Sequence, residues 1–226
     1  MPMNGVVCDS SSLISLSDTC NIECLYFLKH NSSASFFIPP SVYREIIAAP
    51  LHIPRFEFSA VRLKKVLDDG VFNEVTSPQI EHATHEIMGA ANTCFQVDGK
   101  SLSLLHDGEA QCLAVYDIVG ASALAIDEKT TRLLIEDPQK LLNTLKEEYA
   151  GKLVVNERAL QRFADKTKGI RIIRSAEIVA AAAEKGFFKQ YRALENQAFH
   201  AALQALRRAG CSMTENELKE YSQVKV

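Results

Sequence analysis

Short apolar runs, each leading into a helical stretch, constrain this chain most. Gly5-Val6-Val7-Cys8 reads as a buried strand, and Phe36-Phe37-Ile38 as a second one closed by Pro39 and Pro40. Ala123-Leu124-Ala125-Ile126 follows Gly120 as another, and Ile170-Arg171-Ile172-Ile173 follows Gly169. A buried strand, then a helix, then a further buried strand is the grammar of an α/β sheet with right-handed crossovers.

The intervening segments supply the helices. Residues 10–30 form a helix with a short interruption. Ser41 is placed to cap a helix over SVYREIIAA, whose Val42, Ile46 and Ile47 share a face. Amphipathic stretches follow at about Ser59–Leu67 and Pro78–Cys94, with an Asp68-Asp69-Gly70 turn and a short VFNEV strand between them. SLSLLHDGEAQCLAVYDIVG reads as a helix started by its serines and Asp107. Helical pattern over 130–149 breaks at Pro138. It precedes a strand LVV, a helix over 156–165, and an alanine-rich helix capped by Ser175 that ends at Gly186. After Phe187 come two helices divided at Gly210, the second announced by the capping box Thr214-x-x-Glu217.

Composition narrows the classes. No run is long and apolar enough to cross a bilayer, and polar residues follow Val7 too soon for a secretory signal. The six cysteines include no Cys-x-x-Cys pair, so reduced thiols and a cytoplasmic location are expected. A formal net charge of -3 supplies no global attraction for nucleic acid; such a partner needs a local basic patch. His82 and His85 lie three apart on a predicted helix, but without a third ligand they read as surface residues.

Ligands of an open parallel sheet bind outside the carboxyl ends of its strands. Asp9 and Asp127 stand at such ends, and Glu45 and Glu109 fall near the starts of helices that begin at the same edge. Each has a structural explanation when taken alone: helix capping for the aspartates, and the helix dipole for the glutamates. Together they suggest a cluster. Carboxylates gathered without intervening bases raise one another's pKa unless a cation neutralises them, and hard oxygen ligands select Mg²⁺ or Mn²⁺. Metal-assisted phosphodiester hydrolysis is the chemistry that fits.

The set VVCDSSSLI, IPPSVYREII, HDGEAQCLAVYDIVGASALAIDEKTTRLL and GIRIIRSAEIVAAAAEKGFF resembles the PIN-domain family in order, spacing and hydrophobic context, over about Gly5 to Phe188. It is most similar to the archaeal and bacterial branch with G-E-A in the third motif and D-E-K-x-x-R in the fourth. The resemblance implies a three-layer α/β/α fold around a central parallel sheet and an Mg²⁺- or Mn²⁺-dependent endoribonuclease. Asp9, Glu45, Glu109 and Asp127 then match the first to fourth acids, as catalytic residues and metal ligands. Ser10 or Ser11 matches the hydroxyl residue that orients the first acid. Asp107 and Glu128 flank the third and fourth acids in supporting positions, although Asp107 alone reads as a cap. Lys129 and Arg132 are candidates for a substrate phosphate.

Departures from the family pattern are a glutamate at the third position, an insertion over about 136–168, and a helical extension over 189–226 beyond a 1–188 nuclease-like unit. The additions argue against a small toxin. RNA, single-stranded or structured, is the expected partner. Homodimerisation is a family-level expectation, and nothing in the sequence indicates an antitoxin-like partner. The competing reading is a catalytically inactive PIN-fold module that binds RNA or protein. A phospho-acceptor domain fits less well, because DSSSL lacks a second aspartate and no P-loop is present.

Overall fold

The computed structural model describes residues 5–32, 34–149 and 152–221. The chain begins with β1 (Val6–Cys8), α1 (Ser10–Asp18), α2 (Glu23–Ser32), β2 (Phe36–Ile38) and α3 (Pro40–Tyr43). A π-helical turn (Arg44–Ala48) and a 3₁₀ turn (Pro50–His52) lead to α4 (Glu57–Asp68), β3 (Phe72–Glu74) and α5 (Pro78–Ala91). Next come β4 (Phe95–Val97), β5 (Lys100–Ser101), α6 (Asp107–Val119), β6 (Ala123–Ala125), α7 (Lys129–Glu136) and α8 (Pro138–Glu148). The remainder is β7 (Leu153–Val155), α9 (Glu157–Thr167), β8 (Ile172–Ile173), α10 (Ser175–Glu184), a 3₁₀ segment (Phe187–Leu194), α11 (Glu195–Ala209) and α12 (Glu215–Tyr221).

Five strands form a parallel sheet in the order β3-β2-β1-β6-β8, flanked by helices in a three-layer α/β/α arrangement. β1 is central, with Val7 in register with Phe37 on one side and Leu124 on the other. Val6, Val7 and Cys8 are wholly buried, which explains why the run is apolar on both faces. From β1 the chain adds β2 and β3 on one side and later β6 and β8 on the other. The switch point of the sheet therefore lies at the carboxyl ends of β1 and β6.

The LVV strand does not join this sheet. β7 pairs antiparallel with β4, and β4 with β5, in a separate three-stranded sheet of order β5-β4-β7. The β4–β5 hairpin turns at Asp98 and Gly99, both at positive φ, a geometry that Asp-Gly supplies readily. Ser101 is thus a strand residue and not part of a helix start.

Two further helix starts differ from expectation. Pro39 holds the cap position of α3 and Pro40 opens it, since proline lacks the N–H that a first helical residue leaves unused; Ser41 lies inside. Arg174 holds the cap position of α10, so Ser175 is its first residue.

The C-terminal helices pack on the same chain. Phe199, Leu203 and Leu206 of α11 are wholly buried, each contributing about 1.5–3 kcal/mol, and Phe199 lies 5.6 Å from Phe188 between ring centroids. The Thr214 capping box forms as expected, with Thr214 N–H donating to Glu217 at 2.7 Å. Arg174, 7% exposed, donates to the Ser212 carbonyl at 2.7 Å, to Glu217 at 2.9 Å and to Glu177 at 2.7 Å. Among the described residues no helix is long and apolar enough to cross a membrane.

Candidate active site

Asp9 terminates the central strand and is 2% exposed. Its backbone N–H donates to the Ala125 carbonyl at 2.9 Å, which locks it to β6. One carboxylate oxygen accepts from both the N–H (3.0 Å) and the hydroxyl (2.6 Å) of Ser11, so Asp9 caps α1. The Ser11 hydroxyl oxygen in turn accepts from the Asp127 N–H at 3.0 Å, joining the ends of β1 and β6. Ser12, fully buried, donates to the carbonyls of Asp9 and Ala125. Of the hydroxyls after the first acid, Ser11 is the one that fixes its carboxylate.

Burial pushes the Asp9 carboxyl up to about 7, and the nearby charges of Glu109 and Glu45 push it the same way; the two bonds from Ser11 act against them. Glu109 is half-buried and likewise raised, first by burial. One of its oxygens accepts from the His106 N–H at 3.1 Å, so its first-turn position has the capping role its placement suggests, beside Asp9.

Glu45 arrives differently. The α-helix that begins at Pro40 widens into the π turn Arg44–Ala48, a local insertion that re-aims side chains and recurs at functional sites. The Glu45 carboxylate is exposed and takes no hydrogen bond or ion pair among the described residues. It lies against the first turn of α6: a Cβ added at Gly108 would sit 2.9 Å from one of its oxygens. Gly108→Ala is therefore expected to fold normally, because the flexible end of Glu45 can yield. Displacing that carboxylate should reduce activity on the order of 10- to 100-fold; melting curves beside initial rates check this.

Asp127 follows β6 and is 2% exposed. Its oxygens accept from the Ser175 N–H and hydroxyl, both at 2.7 Å, so it caps α10 across the sheet. Glu128 caps α7 through the N–H groups of Thr130 and Thr131. Asp107 is exposed, paired with Arg44 at 3.2 Å and accepting from Gln111 at 3.0 Å. Lys129 is exposed and carries no ion pair among the described residues. Arg132 is turned away, donating to Ser212 and lying 3.8 Å from Glu136.

The structure thus places Asp9 within electrostatic reach of Glu109 and Glu45, with Asp127 joined to Asp9 through Ser11. Among the described residues no three acidic, imidazole or thiol side chains converge closely enough in this conformation to enclose an ion. The donor chemistry nevertheless fits a hard divalent cation. It is all oxygen, negatively charged and self-repelling, and Glu45 is unrestrained. Sequence reasoning missed Ser175 and Gln111, whose side chains hold Asp127 and Asp107. The serine after IIR was legible as a helix-start residue, but its partner was not.

An open parallel sheet flanked by helices, with acidic side chains near its switch point, defines the class as a three-layer α/β domain. The chain belongs to the PIN-domain family: the family model described as a PIN domain matches residues 5–137, more than half of the chain. Members of this family are generally nucleases, typically use divalent metal ions and in general bind RNA. No curated protein and no solved structure matches the chain.

Proposed function

We propose that this protein is a divalent-metal-dependent endoribonuclease. The observation that carries the reading is the buried Asp9 carboxylate at the end of the central strand, raised by burial and by the nearby Glu109 and Glu45. A site that concentrates unneutralised negative charge is destabilised unless a cation enters. Asp9, Glu45 and Glu109 would hold Mg²⁺ or Mn²⁺, with Asp127 behind them, and the ion would supply an acidified water and neutralise charge on the phosphate.

The protein's own residues have separable tasks. Ser11 fixes the rotamer of Asp9 and, by donating twice to it, favours the charged form. Asp127 anchors α10 and ties β6 to Ser11, so it sets the spacing of the pocket. Glu45 brings negative charge from the π turn, its carboxylate lying against Gly108, and Glu109 from the first turn of α6. Lys129, exposed two residues after Asp127 and without an ion pair among the described residues, would offer a cation to an approaching RNA strand.

A second reading, a PIN-fold module that binds RNA or protein without cutting, draws on the Asp127 carboxylate, both of whose oxygens already accept from Ser175. Incubating the protein with 5′-labelled single-stranded and hairpin RNAs in Mn²⁺, with and without chelator, separates the two. Internal cuts that vanish on chelation support the nuclease. Cuts that persist in chelator, or no cuts in any divalent ion, would overturn it.

A further inference from the structure

We propose that the cleft beside Arg44 is the subsite for the RNA nucleotide flanking the cut phosphate, with Arg44 holding its phosphate and Gln111 and His85 reading its base. This rests on the ribonuclease reading and adds to it where the strand lies and what selects it.

The cleft measures about 610 Å³, within the roughly 300–1,000 Å³ of small-ligand sites. It opens at the carboxyl edge of the sheet, since Pro40 follows β2 and Ser77 follows β3, and α6 forms its third wall through Asp107 and Gln111. None of the four acids lines it, but its wall at Asp107 is next to Gly108, which the Glu45 carboxylate touches. We take this cleft as the path of a strand that leaves the acids past Gly108.

The cleft holds one arginine, Arg44, together with the acids Asp107 and Glu81. The Arg44 side chain is 64% exposed and its ion-pair partner is Asp107, 50% exposed, at 3.2 Å. Such a solvated pair is weak, and a phosphate can present two oxygens to the same guanidinium. On the other flank Arg132 already donates to Ser212. Arg44 is thus the arginine free to exchange partners beside the acids.

The base-reading group is held ready. The Gln111 oxygen accepts from the Ser41 N–H at 3.0 Å and its nitrogen donates to Asp107 at 3.0 Å, which fixes the amide. An amide nitrogen has two hydrogens, so one remains as an oriented donor for a base carbonyl or ring nitrogen. His85 stands on the opposing helix α5, and Pro40, Pro78 and Ile80 give apolar surface for a base face.

The test measures binding and cutting separately. Fluorescence anisotropy of a labelled single-stranded RNA is recorded in chelator, and cleavage in Mn²⁺, for wild type, Arg44→Ala, Arg44→Lys and Gln111→Ala, each checked by its melting curve. Arg44→Ala should weaken binding about tenfold and raise KM in parallel with kcat nearly unchanged, with partial rescue by lysine. Gln111→Ala should flatten the preference among substrates that differ only at the flanking base. Wild-type cutting with no change in Arg44→Ala overturns the subsite and leaves the nuclease standing. No cutting by wild type, with binding that still depends on Arg44, overturns the nuclease and the cut-flanking assignment together, and leaves Arg44 as an RNA contact of a non-cutting module. A base preference that survives in Gln111→Ala overturns the assignment of base reading.

Discussion

Asp9→Asn should abolish RNA cleavage while making the metal-free protein more stable at pH 8. Asparagine keeps the shape and can still accept from the N–H and hydroxyl of Ser11, so the β1–β6 junction survives. It cannot supply negative charge to a cation. Loss of even an outer partner of a metal ligand costs roughly 10–100-fold, so loss of the central carboxylate should exceed about 100-fold. The stability effect has the opposite sign. The folded carboxyl titrates at about 7, above its ordinary value of 3.8, so folding takes up a proton between those values. Asp9 therefore contributes most below about pH 4, and that contribution declines as pH rises to 7. Above pH 7 a charged Asp9 in chelator is unfavourable by a few kcal/mol. Melting temperatures in chelator at pH 5 and pH 8 should converge at the lower pH and favour asparagine at the higher. Added Mn²⁺ should raise wild type selectively; an Asn variant that responds equally to Mn²⁺ would show that Asp9 is not a ligand.

The second large effect falls at the other end of the chain. Arg174→Ala should destabilise the protein by about 2–3 kcal/mol, the cost of lost charge-assisted hydrogen bonds to two carboxylates that water partly reaches. Arg174 ties β8 and α10 to the loop before α12, through Ser212 and Glu217, while the Tyr221 hydroxyl donates to Glu177. Burial alone would raise the Glu177 and Glu217 carboxyls. Arg174 helps to outweigh it, together with Tyr221 at Glu177 and Thr214 at Glu217, so both lie below their ordinary value. Their contribution is thus present above about pH 4.5 and lost as pH falls through the folded values. Denaturant midpoints at pH 7 and pH 3.5 check this: the deficit of the alanine variant should shrink at the lower pH. An undiminished gap would mean that the arginine acts through packing alone.

The parallel sheet was legible because its strands are short, apolar on both faces and followed by helix-starting residues. β1, β2 and β6 read directly from VVC, FFI and ALAI. The placement of Asp9 and Asp127 after strands and of Glu109 in a first helical turn was legible for the same reason. What stayed hidden depends on pairing over distance. Asp127 and Ser175 are 48 residues apart, and neither shows in its local sequence that the other completes its bonds. Arg132 carried a helix-face position that suited a phosphate, but a loop 80 residues later takes its guanidinium. The β4–β5 hairpin was missed despite its Asp-Gly turn, because neither flanking run is long enough to show an alternating pattern. β7 reads as a strand, and only its partner, β4, decides which sheet it enters.

The π turn at Arg44–Ala48 places this protein one deleted residue away from a different pocket. Removing a residue there would return the turn to α geometry and re-aim the side chains within it, Arg44 and Glu45 first. Natural variants of this chain should therefore keep their length between Pro40 and Pro50 even where they change their letters.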